Sequence, residues 1–229
     1  MDHLNNLTKI KTESGEEIGF IKWSLPVFKM DDETDTLTDV KYIKISWLEV
    51  NEKFQGKGIA SLLIATMLSQ INYNGKLEIT LDDCSDRSVT KDCIYYKLGF
   101  RHFTEMSPPD MSVFINYNPN QPGFTYPDDT DPTPVNLFES VREFLNTFNL
   151  KTKTIDYIFT STKLGPEDKF IGEETDITES IKRRLKTLNL IEYHQRNCNS
   201  EPCKTLFGKK RKSFLRILLS DINYLKILI

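Results

Sequence analysis

A strand whose apolar parity slips, then a two-glycine turn, then an unbroken apolar helix: this run constrains the fold more than any other part of the chain. Ile43, Ile45 and Trp47 alternate with Lys44 and Ser46, which defines one apolar face; the apolar positions then move to Leu48 and Val50, with Glu49 between them. Side chains alternate faces along a strand, so this pattern needs either an inserted residue, a β-bulge, or a strand end buried on both faces. Gln55-Gly56-Lys57-Gly58 follows as a turn, and Ile59 to Ile71 reads as a helix. Glycine lets backbone come close to a ligand without steric conflict. A helix start directly behind it offers unpaired N–H groups and the positive end of the helix dipole. Strand, turn and helix start in that order make a site for phosphate or pyrophosphate.

Two nucleotide motifs are excluded by spacing. A P-loop requires Lys-Ser or Lys-Thr after its last glycine, whereas Gly58 is followed by Ile59-Ala60. The dinucleotide fingerprint requires a third glycine where this chain has Ser61. What remains is Gln-x-x-Gly-x-Ala at Gln55, Gly58 and Ala60. Further along, Tyr95-Tyr96-Lys97-Leu98-Gly99-Phe100 reads as a helix ending in a glycine cap, with Phe100 opening the next strand. The two motifs, in this order and with the strand Lys76 to Leu81 between them, resemble the signatures of the Gcn5-related N-acetyltransferase (GNAT) superfamily. The resemblance covers roughly residues 40 to 117.

This resemblance implies a GNAT-like α/β fold: a central mixed, mostly antiparallel sheet with a splayed strand pair and flanking helices. It implies acetyl-CoA as cosubstrate, with no metal. The backbone of Leu48 to Val50 would meet the thioester and pantetheine arm, and Gln55, Gly56, Lys57, Gly58, Ile59, Ala60 and Ser61 would hold the pyrophosphate. Ser88 stands where the family often has an asparagine that bonds the pantetheine, and Tyr95 matches the tyrosine that protonates the departing thiolate. A phenol suits that task, being neutral at working pH and acidic enough to donate to a forming thiolate. Glu49 is the candidate general base, as the carboxylate on the bulged strand; Asp82 and Asp83 are alternatives that also suit a turn. The chain departs from the family in one respect. A tight turn at Glu13-Ser14-Gly15-Glu16 joins its first two strands, leaving no room for the two helices that usually shape the acceptor pocket. The expected reaction is direct transfer of an acetyl group to a primary amine on a small cationic molecule or a protein. The acidic stretch Asp31 to Asp39 suggests the cationic class. A non-catalytic acyl-CoA-binding or scaffold module, with a partner or a second copy on its C-terminal region, stays open as the alternative.

Bulk composition narrows the setting. With 229 residues, net charge −3 and 38% hydrophobic residues, the chain can form one large domain or two modest ones, with no general pull toward nucleic acid or membrane. No long uncharged apolar stretch and no signal-like N-terminus are visible. Cys84, Cys93, Cys198 and Cys203 lack framework spacing, and His194 with the last two lacks a fourth metal ligand. A cytoplasmic protein is the expectation; Lys209-Lys210-Arg211-Lys212 reads as a solvated charge run, with a nuclear address as the alternative.

The pattern along the chain predicts strands at Leu7 to Thr12 and Ile18 to Leu25, and a polar connection from Lys29 to Asp39. The bulged strand then runs from Val40 to Val50, a second helix from Ser88 to Leu98, and a closing strand pair at Phe100 to Glu105 and Met111 to Tyr117. The expected division is a GNAT-like domain over 1–118, a Pro/Asp-rich linker over 119–134, and a C-terminal, mainly helical region over 135–229. Helical spacing in that last region is carried by Phe138, Val141, Leu145 and Phe148, and by Ile177, Ile181, Leu185 and Leu188.

Overall fold

A computed structural model describes residues 4–31, 35–71, 75–84, 93–102, 110–115, 141 and 156–185. Strands β1 (Asn5–Thr12) and β2 (Glu17–Ser24) form a hairpin closed by Gly15, whose N–H reaches Thr12 O at 2.9 Å. The short turn confirms that no helix separates these strands. Pro26 interrupts the line of β2, and β3 (Val27–Asp31) resumes beside the start of β4 (Thr36–Val50). Ser24 Oγ bridges the break by accepting the Lys44 N–H at 2.8 Å. The polar connection expected from Lys29 to Asp39 is therefore a hairpin, with Met30 opposite Leu37. Its alternating Thr36-Leu37-Thr38 pattern, read as a charged loop, is a strand start.

Helix α1 (Ile59–Gln70) and strand β5 (Lys76–Asp82) make a parallel crossover from β4. Short α2 (Ile94–Lys97), β6 (Arg101–His102) and β7 (Asp110–Ile115) follow, then β8 (Tyr157–Leu164), β9 (Thr175–Asp176) and helical residues 178–185. The sheet runs β6-β7-β5-β4-β2-β1-β8-β9, with β3 also on β4; only β4–β5 is parallel.

One face of the sheet carries α1. Gln70 at its C-terminus donates to Thr8 Oγ1 of β1 at 2.9 Å, which places Thr8, Ile10, Ile21, Trp23, Ile43 and Ile45 on that side. The helix is apolar nearly all round and is buried accordingly, and the hydroxyls of Thr66 and Ser69 bond back to its own carbonyls. The core cluster to which it belongs also includes Phe159, Ile181 and Val141.

Strand β8 was not among the elements expected of a mainly helical C-terminal region. It pairs along its whole length with β1, from Asn5↔Leu164 to Thr12↔Tyr157, so the sheet that begins with the N-terminal residues is continued by C-terminal ones. The helical expectation around Ile177 to Leu185 holds over 178–185, where Ile181 is buried. The linker, the Lys209–Lys212 run and, apart from Val141, the candidate helix carrying Phe138, Leu145 and Phe148 lie outside the described residues. Among the described residues no helix is long and apolar enough to cross a membrane.

Candidate active site

The end of β4 is where the sheet opens. Its parallel register with β5 stops at Ile45↔Leu81, while its antiparallel register with β2 continues to Gly19↔Val50. Between those limits Lys22 pairs with Trp47 and Trp23 with Ile45, so Ser46 is the extra residue of a bulge. The bulge comes one alternation earlier than the parity pattern suggests: Trp47 lies beyond it, off the apolar face and 59% exposed. Leu48 and Val50, partly buried, pack against the core. Among the described residues, β4 from Ser46 onward pairs with β2 alone, which leaves its edge toward β5 available to an extended ligand.

Gly19 sets how closely this strand end is held. A Cβ there would stand 2.5 Å from Glu49 O, 3.1 Å from Val50 Cα and 3.4 Å from the Leu63 side chain. The neighbouring Ile18 carbonyl accepts the Asn51 N–H at 2.9 Å. A glycine inside an otherwise apolar strand was the available signal for this close approach.

A single turn of 3-10 helix, Glu52–Phe54, follows, capped by Asn51 Oδ1 on the Lys53 N–H. Gln55 Nε2 donates to Val50 O at 3.0 Å, tying the turn to the strand end. Gly56 (φ 69) and Gly58 (φ 76) both take the left-handed conformation that glycine tolerates best. Gly58 caps α1 without a side chain, and the first intrahelical bond runs from Leu62 N–H to Gly58 O at 3.0 Å. The N–H groups of Ile59, Ala60 and Ser61 precede that bond, so the helix supplies them no acceptor. Lys57 folds back over the turn, donating to Lys53 O at 2.6 Å and lying 5.3 Å from the Phe54 ring centre. The side chains of Ile59 and Ser61 turn into the core, leaving their backbone as the part that could meet a ligand.

Tyr95 lies on α2 beside the end of β5. The helix ends with Gly99 at φ 100, and Phe100 N–H returns to Tyr95 O at 3.0 Å, the bond that closes a glycine-capped helix. Phe100, fully buried, meets the Tyr95 ring edge-on with centroids 6.0 Å apart. Cys93 Sγ donates to Asp83 Oδ2 at 3.2 Å, and Asp83 is 1% exposed. Burial, then the nearby Asp83 carboxylate and the Cys93 and Cys84 thiols, push the Tyr95 phenol well above its ordinary range, so the proton stays on. Tyr96 packs elsewhere, under the Arg101 guanidinium at 4.1 Å.

Glu49 is exposed, and one of its oxygens accepts the Trp47 indole N–H at 3.1 Å. The two stand on the sheet face opposite α1, since Trp47 pairs with Lys22, which pairs with Leu7, one residue off the α1-facing Thr8. Asp82 and Asp110 face each other across β5–β7. Their carboxyls hydrogen-bond; that bond lowers the pKa of Asp82, which Lys44 at 3.0 Å also favours as an anion, and raises that of Asp110. Asp110, hidden behind Pro108-Pro109 in the sequence, was not among the expected residues. Ser88 lies outside the described residues. The described acidic residues of that stretch, Asp31, Asp35 and Asp39, sit toward the opposite end of β4: even the seven residues from Asp39 to Ser46 span about 23 Å at strand rise, too far to touch the same small amine.

No family model and no curated protein matches the chain. Solved structures do. A mutant of the toxin AtaT, bound to the C-terminus of the antitoxin AtaR and acetyl-CoA, is 10% identical, with a TM-score of 0.34 over 43% of this chain and 59% of that one. Ard1 from Thermoplasma volcanium is 19% identical, with a TM-score of 0.26 over 45% of this chain and 66% of that one. The chain thus spans less than two thirds of either. The described sheet is mixed and mostly antiparallel, with few flanking helices.

Proposed function

We propose that the protein is an acetyl-CoA-dependent N-acetyltransferase acting on a primary amine. The observation that carries this reading is the coincidence of three features at one point. Parallel pairing of β4 and β5 ends at Ile45↔Leu81, a bulge follows at Ser46, and a turn with two left-handed glycines leads into an uncapped helix start. An extended pantetheine arm would add to the open edge at Leu48 to Val50, with help from Ser88. The pyrophosphate would take the N–H groups of Gly56 to Ser61, with Gln55 holding the turn and Lys57 adding positive charge.

In the reaction the amine nitrogen attacks the thioester carbonyl. The new C–N bond forms, the C–S bond breaks, and the sulfur leaves as thiolate. Backbone N–H groups at the bulge stabilise the oxyanion. Glu49 takes the proton that the ammonium must lose, and Tyr95 gives its proton to the thiolate, to be reprotonated from water. Burial keeps that proton on the phenol across the physiological range; it also makes the phenol a weaker acid than a free tyrosine, so the transfer waits on the charge developing at the sulfur. Calorimetric titration with acetyl-CoA, followed by a thiol-release assay over a panel of amines, tests the proposal. Saturable binding with amine-dependent thiol release is expected; binding without turnover would leave a scaffold, and no binding would refute the reading.

A further inference from the structure

On the face opposite α1, Lys9, Lys11, Lys22 and Lys44 are each matched by a carboxylate. Lys9 pairs with Glu17 at 2.8 Å, Lys11 with Glu174 at 2.8 Å, Lys44 with Asp82 at 3.0 Å, and Lys22 with Asp168. Two of these partners, Asp168 and Glu174, come from the segment that follows β8; Glu174 is also held by Thr160 Oγ1 at 2.7 Å. The helices missing between β1 and β2 are thus answered on this face by a C-terminal segment tethered through ion pairs. Beside them stands Trp47, a large aromatic left 59% exposed, with its indole N–H committed to Glu49. Lys22 is its direct cross-strand neighbour, and Phe20 lies across from Glu49. Among the described residues Glu49 has no cationic partner. At the point where β4 parts from β5, this face therefore offers an aromatic surface and one unmatched negative charge.

We propose that Trp47 and Glu49 form the seat of a positively charged acceptor, and that Asp168 keeps the seat open to cations by neutralising Lys22. An aromatic face attracts an ammonium electrostatically, and tryptophan does so best. A bare Lys22 beside it would repel the same ligand. The acceptor class is an aliphatic diamine or polyamine, or a lysine side chain in a basic peptide. Its role as acceptor rests on the acetyltransferase reading, but the cation seat does not.

The test is calorimetric titration of the full chain with putrescine and with 1,4-butanediol, which has the same carbon chain without charge. Putrescine is expected to bind saturably, more weakly as salt rises, and butanediol not to compete at tenfold excess. Trp47→Leu should weaken putrescine binding by about two- to fivefold, the range of an exposed cation–π contact, and Glu49→Gln at least as much. Asp168→Asn should weaken it severalfold, and adding Lys22→Gln should restore it, which a merely structural role of Asp168 would not produce. Equal binding of the diol, or an Asp168→Asn loss that Lys22→Gln leaves in place, would overturn the proposal. Acetyl-CoA titrated alone separates the two readings. Putrescine binding without acetyl-CoA binding removes the transferase and leaves the seat; acetyl-CoA binding without charge discrimination removes the seat only.

Discussion

Replacing Gly19 with alanine probes whether the close seating of the β4 end builds the donor site. The added methyl would lie 2.5 Å from Glu49 O and 3.1 Å from Val50 Cα, both backbone atoms that cannot swing aside as a side-chain tip can. Either β2 or the end of β4 must move, and α1 must follow, because Leu63 is the third contact at 3.4 Å. Overpacking of this kind typically costs about 1–3 kcal/mol. For a chain of this size that corresponds to a fall in Tm of roughly 2–12 °C. The shift passes directly into Asn51 and the glycine turn, through the Asn51 N–H bond to Ile18 O and the Gln55 bond to Val50 O. Acetyl-CoA affinity should therefore fall by about tenfold or more, near 1.4 kcal/mol. Gly15→Ala is the control. Nothing lies within 4 Å of its would-be Cβ, so the left-handed backbone penalty of roughly 1 kcal/mol applies with no clash against the end of β4. Thermal unfolding and calorimetry of both variants decide the matter. Gly19→Ala with wild-type affinity, or both variants losing affinity alike, would refute the link between this contact and the site.

Other outcomes follow from the same geometry. Gly58→Asp should keep the fold at a cost of roughly 1 kcal/mol for the left-handed backbone, partly offset by a carboxylate at the helix start, yet abolish acetyl-CoA binding by placing negative charge where phosphate would sit; unchanged affinity in calorimetry would remove the phosphate site. Tyr95→Phe should lower turnover by about 10²-fold or more with acetyl-CoA affinity unchanged, and the wild-type rate should show no alkaline decline from Tyr95 within the ordinary phenol range, because burial and Asp83 hold its pKa above it. A pH–rate profile checks both. The Asp82–Asp110 pair should give stability a particular pH dependence. Asp82, whose pKa is lowered, contributes above the unfolded value and loses that contribution as pH falls through its folded pKa; Asp110, whose pKa is raised, contributes below the unfolded value and loses it as pH rises through its folded pKa. The Tm difference between wild type and Asp110→Ala should therefore be greatest near the ordinary aspartate pKa of 3.8 and shrink on both sides; a flat difference would contradict the pairing.

Much of the candidate site was legible because it is local in sequence. The parity slip between Trp47 and Leu48, the left-handed glycines and the Gly99 cap each act through a few consecutive residues, and periodicity reports such features to within a residue or two. Trp47 was misassigned because apolar character alone does not tell on which side of a bulge a residue falls. The hairpin at β3 was missed because charged residues disguised a short alternation. In β8, Tyr157-Ile158-Phe159-Thr160 has the aromatic and β-branched content of a strand, but weighting the region by its helical spacing concealed it.

The sequence by itself determined the β4–turn–α1 unit and the Tyr95 helix ending, because short-range backbone geometry is encoded in short-range residue choice. Only the tertiary structure decided what stands opposite. The pairing of β8 with β1, the Asp168–Lys22 and Glu174–Lys11 ion pairs, the Asp82–Asp110 contact and the tight seat at Gly19 join residues that sequence order keeps apart. Strand register brings them together, and register is set by burial summed over the whole sheet rather than by any one segment.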